Sequence, residues 1–283
     1  MNYKIVSAVL VLALASMACG FSFNLPETQE PGPDVTDQIS IPAPESGEAQ
    51  LTVKFGAGTL SLAPGAGDKL VEGTVTYNIA DLKPVIKQDG SGVELSQGDY
   101  KFDNVLTMNK IKNVWELELG KAPMDLNIEA GAYEGQMELG GLSLTNLTIK
   151  DGAAHTEVSF DSPNAAEMSV LQYETGASDV SLSGLGNANF STMIFRAGAG
   201  NYELGFDGEL QQDATVNINC GLSDVTLRIP EGVHAVVNVG GGLHNVSTSS
   251  GWSQSNNTYT QDGDGPTLTF VVEMGAGNLT LTD

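Results

Sequence analysis

The chain has 283 residues and is strongly acidic, with 35 Asp and Glu against 12 Lys and Arg and a formal net charge of −23. A negative field of this size repels nucleic-acid phosphates, so the composition excludes DNA and RNA as partners. The acidity is concentrated in the second part of the chain, because Ala122–Asp283 contains three basic and 20 acidic residues. Divalent cations and basic partners remain open.

The N-terminus has the pattern of an export signal. Lys4 precedes an apolar stretch from Ile5 to Ala15, and the small-residue run Ser16–Ala18 follows. The stretch has 11 residues, well short of the roughly 20 that a helix needs to cross a bilayer. We therefore expect residues 1–18 to be a signal peptide.

Cys19 follows this signal directly, in a context that resembles a bacterial lipoprotein box. In such a box the cysteine becomes the mature N-terminus and its thiol carries a diacylglycerol, which predicts a protein anchored at the outer face of the cell membrane. Ser16 stands where the box usually has Leu, and Ser16 with Ala18 also suits an ordinary signal peptidase that cuts after Ala18. Plain secretion is therefore the alternative.

The segment after Cys19 has the composition of a spacer. From Phe21 to Gln50 the chain contains six acidic residues, no Lys or Arg, and five prolines: Pro26, Pro31, Pro33, Pro42 and Pro44. Acidic repulsion and proline stiffness keep such segments extended. We expect residues 19–50 to form a disordered tether that holds the folded part of the protein away from the membrane.

The next segment, residues 51–121, contains strand-like runs at Gly73–Asn78 and Val114–Leu119 but no clear repeat. Its first phrase, Phe55–Leu62, nevertheless matches the phrase Met274–Leu281 at the end of the chain. We interpret residues 51–121 as a small N-terminal β subdomain.

Residues 122–283 repeat one glycine-led phrase. Gly131, Gly152, Gly176, Gly198, Gly221 and Gly242 each open a turn into alternating apolar residues, at spacings of 21, 24, 22, 23 and 21 residues. One supersecondary unit of this length buries its apolar face only by stacking on its neighbours. The repeat predicts an all-β fold, a β-solenoid with single-stranded, β-helix-like coils of about 21–24 residues. Glycines in its turns would supply positive φ angles.

Each coil would place alternate residues on its two sides. Apolar pairs such as Val180 and Leu182 are two residues apart, the period that sends both side chains to one face of a strand. Four regularly placed carboxylates would form a column if the coils stack in register: Glu157, Asp179, Glu203 and Asp224. Such a column is either a solvated face or a binding stripe.

The spacing of 33 residues from Gly242 to Gly275 indicates an insertion at residues 248–265. Insertions project from a solenoid and terminal coils need polar caps, so this one is either a capping hairpin or a binding loop. Trp252 and Tyr259, together with Asn256 and Asn257, have the composition of a glycan-contacting surface. The same aromatic side chains could instead pair across a hairpin and stabilise it.

The sequence contains little that indicates metal or catalytic chemistry. Asp262 and Asp264 are only weak candidates for Ca²⁺ binding, because Pro266 and Thr267 break the EF-hand pattern. We expect no other cofactor. Cys220 has no His or Arg nearby in sequence to activate its thiol and is expected to be a buried structural residue. The three histidines are dispersed, and no Ser nucleophile has a phased His partner.

The phrase Gly-Ala-Gly-[Asn/Thr]-Leu-x-Leu occurs at Gly56 and Gly275, with variants at Gly176, Gly198 and Gly221. With the lipoprotein-like start, it resembles the toast-rack family and the β-helical adhesin domains of bacteria. It is also similar to the C-terminal domain of envelope proteins that respond to cell-wall-active antibiotics. The resemblance covers Leu51 to the C-terminus and implies an all-β surface protein with no catalytic residue to transfer.

Three functions follow from these observations. The first is a non-enzymatic, lipid-anchored envelope protein whose solenoid presents a surface for adhesion or for assembly with an envelope protein or glycan. The second is an envelope-stress accessory that binds a partner protein or cell-wall component. The third, an enzyme acting on acidic polysaccharide, requires carboxylates and basic residues together in one groove, for which Ala122–Asp283 offers three basic residues.

Overall fold

The computed structural model describes residues 31–98 and 110–283, which form one 16-stranded sheet. The N-terminal strands are β1 (Val35–Pro42), β2 (Ala49–Pro64), β3 (Lys69–Tyr77), β4 (Val85–Asp89), β5 (Gly92–Ser96) and β6 (Asn113–Leu119). The following strands are β7 (Met124–Glu138), β8 (Leu144–Asp151), β9 (Ala153–Ser159), β10 (Met168–Ser183), β11 (Phe190–Gly205), β12 (Ala214–Arg228), β13 (Gly232–Thr248), β14 (Trp252–Ser255), β15 (Thr258–Gln261) and β16 (Gly263–Thr282). Among the described residues, helical structure is limited to short 3₁₀ turns.

The predicted β-solenoid is confirmed. Each coil is one long strand, or the pair β8 and β9 in a single coil, and it lies parallel to and in register with its neighbours. The spatial order of the coils is β2, β7, β8–β9, β10, β11, β12, β16 and β13. The stack is therefore continuous from Ala49 to the C-terminal strand.

Each coil bends at its repeat glycine into two arms. In β10, Leu171 and Tyr173 are buried before Gly176, and Val180 and Leu182 are buried after it, so burial changes phase at the glycine. We call the part before the glycine the first arm and the part after it the second arm. The apolar core lies between the two sets of arms, and each set turns an outer face to solvent.

The repeat glycines stack on one another to form a glycine column. A Cβ on Gly198 would lie closer than 3.0 Å to the carbonyl oxygen of Gly176, and the same clash recurs along the column. These glycines do not have positive φ angles. The positive values expected of turn glycines occur two residues later, at Gly58, Gly200 and Gly277, and in the second turns, at Gly141, Gly184, Gly208 and Gly232. Close approach of neighbouring backbones, and not a left-handed turn, requires glycine in the column.

The N-terminal strands cap the first coil. The first arm of β2 pairs with β5, and its second arm pairs with β6, which continues into β3 and β1. Two sequence predictions are therefore wrong. The tether does not extend to residue 50, because Ile39 and Ile41 of β1 are buried. The free energy gained by burying them compensates for the conformational entropy that this short strand loses on folding. The boundary between residues 121 and 122 does not separate two bodies, because β2 pairs with β7 along almost its whole length.

The C-terminal end has a crossover. Strand β16 lies between β12 and β13, so the last strand in sequence is internal and β13 is the terminal coil. The predicted insertion contains the hairpin of β14 and β15, which pairs with β13 along Ala235–Asn238. The hairpin thus covers the first arm of the terminal coil, as a capping element would.

Candidate charged groove

A row of charged side chains crosses the outer face of the first arms, one from each of five consecutive coils. Every member stands two residues before a repeat glycine, and the strand register places consecutive members side by side. We call this row the charge ladder: Lys54, Glu129, Lys150, Glu174 and Arg196. Asn219 and Glu273 continue it on β12 and β16. The ladder alternates in sign, which removes the repulsion that like charges on adjacent strands would cause.

Ion pairs connect the ladder internally. The Glu174 carboxylate accepts from Arg196 at 2.7 Å, and the Lys150 ammonium lies 3.9 Å from the other oxygen of Glu174. At the other end, Lys54 pairs with Glu94 of β5 at 2.6 Å. The hydrogen bonds that Glu94 accepts from Lys54 and Lys87 lower the pKa of its carboxyl. The basic side chains of these pairs are about half exposed and the two carboxylates less than a third, so each pair still meets solvent.

The ladder lines a continuous groove. Three neighbouring depressions of about 650, 420 and 390 Å³ lie along it. The first and second share Lys150 and Asp151, and the second and third share Arg196 and Asn219. Six strand spacings of about 4.8 Å separate Lys54 from Glu273, so the charged groove is roughly 29 Å long.

Asp151 fixes the floor of this groove. Its carboxylate accepts a hydrogen bond from the Tyr173 hydroxyl at 2.7 Å and from the Tyr133 hydroxyl at 3.4 Å, and Thr175 and Ser178 also donate to it. Burial is the largest cause that raises the pKa of both tyrosines, so they stay protonated as donors. The four hydroxyls hold Asp151 at the corner between β8 and β9.

The outer face of the second arms has a different character. Three and five residues after each repeat glycine, side chains form two parallel rows. The four carboxylates predicted to form one column fall into these two rows, with Asp179 and Asp224 in one and Glu157 and Glu203 in the other. Amides separate the carboxylates of the first row, as Asn201 donates to Asp179 at 2.8 Å and Asn278 donates to Asp224 at 2.6 Å. We call these two rows the acidic face.

The terminal hairpin places its predicted ligand-contacting residues in unequal positions. Tyr259 is 8% exposed and its hydroxyl accepts from Gln254, so the ring packs inward and is not available to stack on a ligand. Trp252 is half-buried against the core. Asn256 and Asn257 are exposed at the turn, where Asn256 has a φ of 53°. Ligand contact by Trp252, Asn256 and Asn257 stays a prediction, whereas Tyr259 serves packing.

The remaining candidates are dispersed. Asp262 and Asp264 are exposed next to the start of β16, and over residues 31–98 and 110–283 no three His, Cys, Asp or Glu side chains converge as metal ligands. Cys220 is buried on β12, and burial raises the pKa of its thiol to about 12, which makes it unreactive. Cys19 and the signal peptide lie outside the described residues. Within residues 31–98 and 110–283, no helix is long and apolar enough to cross a bilayer.

The charge ladder was not found by sequence reasoning, although the sequence carries its signal. Lys54, Glu129, Lys150, Glu174 and Arg196 all occupy the same offset from their glycines. The shared position is hard to recognise because the residue type changes from coil to coil. Carboxylates that recur after the repeat glycines, on the acidic face, are a more obvious pattern. Two of the three basic residues in Ala122–Asp283 lie in the groove.

Comparison with known proteins identifies the fold family. Residues 30–170 match the model of the N-terminal domain of toast_rack, also called DUF2154. No curated protein sequence matches the chain significantly.

Solved structures give more distant similarities. A putative cell adhesion protein from Clostridium sporogenes ATCC 15579 is 18% identical, with a TM-score of 0.46 over 89% of this chain and 99% of that one. A putative adhesin from Bacteroides fragilis NCTC 9343 is 10% identical, with a TM-score of 0.29 over 88% of this chain and 97% of that one. A putative adhesin from Parabacteroides distasonis ATCC 8503 is 12% identical, with a TM-score of 0.31 over the same shares.

Proposed function

The chain belongs to the toast-rack family, and from that premise we propose that it is a non-enzymatic, lipid-anchored cell-envelope protein whose charged groove binds an extended ligand. The observation that carries this proposal is the continuity of the groove along the charge ladder. A rigid stack of coils presents these side chains at fixed spacing, so little conformational freedom is lost when a ligand binds.

The groove indicates the chemistry of its ligand. It is long and shallow, which suits a polymer better than a compact metabolite. Its walls carry both signs of charge within one strand spacing, so a polyanion or a polycation would meet repulsion from every second side chain. We therefore propose as ligand an envelope polymer that carries ionised groups of both signs, namely a cell-wall glycan with charged peptide stems.

The groove also brings together what the enzyme hypothesis requires, since Lys150 and Arg196 lie among carboxylates there. Binding is the better interpretation for two reasons. Hydroxyl groups occupy both oxygens of Asp151, which leaves it poorly placed to exchange a proton with a substrate. Glu174 is neutralised by Arg196 and Lys150. Release of soluble fragments from the glycan by the protein would contradict the non-enzymatic part of the proposal.

The anchor proposal rests on Cys19 and on the distance to the first strand. Fifteen residues separate Cys19 from Val35, where β1 begins. At about 3.3–3.6 Å per extended residue they reach at most roughly 50 Å. A lipid on Cys19 would thus hold the groove within reach of the cell wall adjoining the membrane.

Charge reversal in the groove tests the proposal. We expect the full chain to co-sediment with insoluble cell-wall sacculi at low salt, and the Lys150→Glu/Arg196→Glu variant to lose at least tenfold in affinity. The matched control is Arg228→Glu, which changes the third basic residue of this region, on the outer face of the second arms and paired with Glu203. We expect it to bind as wild type does.

Two outcomes would contradict the proposal. Equal loss in the groove variant and in Arg228→Glu would show that net charge, and not the groove, governs binding. Wild-type protein that stays in the supernatant would exclude the cell-wall polymer as ligand. Cell fractionation tests the lipid anchor. In cells that express the full chain, Cys19→Ala should move the protein from the membrane fraction to the soluble fraction, and retention in the membrane would contradict lipid anchoring.

A further inference from the structure

The terminal coil is only half covered. Strand β15 pairs with β13 from Ala235 to Asn238, and the Val239 N–H donates to the carbonyl oxygen of Asn257 at 2.9 Å. Beyond that point, within the described part of the chain, β16 is the only strand that pairs with β13. The second arm of β13, Gly242–Thr248, therefore forms one edge of the sheet, which we call the β13 edge.

Over residues 31–98 and 110–283, no strand pairs with the outward backbone groups of this edge. The Ser249 N–H donates to the carbonyl oxygen of Leu281 at 2.9 Å, so the odd-numbered residues of this arm face β16. By alternation, the N–H and C=O groups of Val246 and Thr248 point away from the sheet. A row of such groups is a template for another strand.

The β13 edge lacks the features that normally prevent pairing. The segment Gly242–Thr248 contains no Lys, Pro, Asp or Glu. Its outward side chains, Asn245 and Ser247, are neutral, as are Asn278 and Thr280 beside them on β16. The acidic face thus loses its charge over the last two coils, although the chain as a whole carries a net charge of −23.

The opposite edge of the same sheet is protected. Strand β1 carries Asp37, ends at Pro42, and is preceded by Asp34, which pairs with Lys112 at 2.6 Å. Charges and proline at an edge oppose strand addition. Among the second arms, which end at β13 on one side and continue through β6 and β3 to β1 on the other, one open edge and one protected edge favour an assembly that uses a single edge and closes on itself.

We propose that the β13 edge pairs with the β13 edge of a second copy of this chain, antiparallel and about a two-fold axis. A two-fold interface uses the same patch on both partners and stops at the dimer. The neutral side chains let two acidic molecules approach there without local repulsion. A seam of seven residues buries less than the roughly 1,200 Å² of a standard interface, so the dimer is weak and concentration-dependent. This inference does not depend on the ligand of the charged groove.

Charge pairing across the seam tests the dimer directly. The full chain, with Cys19→Ala to exclude the lipid, is followed by sedimentation velocity over a range of concentrations. We expect wild type to shift from monomer to dimer. The Asn245→Asp/Ser247→Asp variant and the Asn245→Lys/Ser247→Lys variant should each show at least tenfold weaker dimerisation, because like charges meet across the axis. An equimolar mixture of the two variants should dimerise again.

The control is Asn201→Asp, a change of the same kind in the middle of the acidic face, which should leave dimerisation unchanged. Circular dichroism verifies that each variant is folded. Wild type that remains monomeric at every concentration would overturn the proposal, as would a mixture that fails to restore the dimer. An open-ended series of oligomers would instead indicate pairing of the β13 edge with β1 and would equally overturn it.

Discussion

The two outer faces of the solenoid are built from the same coils but solve the problem of adjacent charges differently. On the first arms, the charge ladder alternates basic and acidic residues, and ion pairs such as Glu174–Arg196 link neighbouring strands. On the second arms, amides stand between carboxylates, as Asn201 does between Asp179 and Asp224. Both arrangements avoid like charges side by side.

The difference between the faces has a functional consequence. Alternation of sign leaves the ladder nearly neutral while it exposes strong donors and acceptors to a ligand. Interleaved amides keep the other face negative, and a negative face repels anionic surfaces. A stack of identical backbones can therefore present one face for contact and one for solubility, and the glycine column is what separates them.

Breaking the glycine column should have the largest effect on both faces. We expect Gly198→Ala to lower the free energy of unfolding by about 3 kcal/mol, because its Cβ would lie closer than 3.0 Å to the Gly176 carbonyl oxygen, a backbone atom that cannot rotate away. Urea denaturation measures the change. The control is Gly240→Ala, where the nearest atom to the new Cβ is 3.9 Å away, and we expect a change within about 0.5 kcal/mol.

The second-largest effect should be a difference in stability loss between removing a carboxylate from the groove and removing one from the acidic face. Asp151→Ala removes the acceptor of the buried Tyr173 hydroxyl and of three further hydroxyls, and we expect a loss of about 2–3 kcal/mol. Asp179→Ala, on the acidic face, removes an exposed carboxylate whose amide partner can turn to water, so the change should stay within about 0.5 kcal/mol. Equal losses in urea denaturation would show that Asp151 is not the structural centre of its cluster.

How much of this could be predicted depends on whether a feature has a fixed offset in sequence. The repeat glycines and the apolar alternation of Val180 and Leu182 recur at such offsets, so the coil and its inner face could be predicted. The charge ladder also has a fixed offset, but its residues share a position and not a chemical type. Recognising it requires aligning the coils first and comparing charges afterwards.

The stacking order of the last coils could not be predicted, because each coil could pair equally well with more than one neighbour. The 33-residue spacing before Gly275 indicates an insertion but not that β16 lies between β12 and β13. Any coil edge offers the same backbone hydrogen bonds, so only packing of the whole stack decides the order. Strand β1 was missed for a different reason: two buried isoleucines, Ile39 and Ile41, were outweighed by the acidic and proline-rich composition around them.

The smallest expected effect is a difference between the two faces in how stability depends on pH. Lys54 and Lys87 lower the pKa of Glu94 in the folded protein, so the stability that this carboxylate contributes is complete above its unfolded pKa of about 4.3. That contribution is lost as the pH falls through the lower, folded pKa. Wild-type stability should therefore decline more steeply between pH 5 and pH 3 than that of Glu94→Gln.

Urea denaturation at several pH values measures this difference in slope. The matched control is Glu157→Gln on the acidic face, because the residues opposite Glu157 on the two adjacent strands are the neutral Gln136 and Ser181. Its stability should follow that of wild type over the same pH range. If Glu157→Gln reduces the acid loss of stability as much as Glu94→Gln does, general acid unfolding sets the slope, and not the ion pairs at the end of the charge ladder. Because 1 M salt shortens the screening length to about 3 Å, the Glu94 difference should also shrink in salt, which ties it to Coulomb attraction.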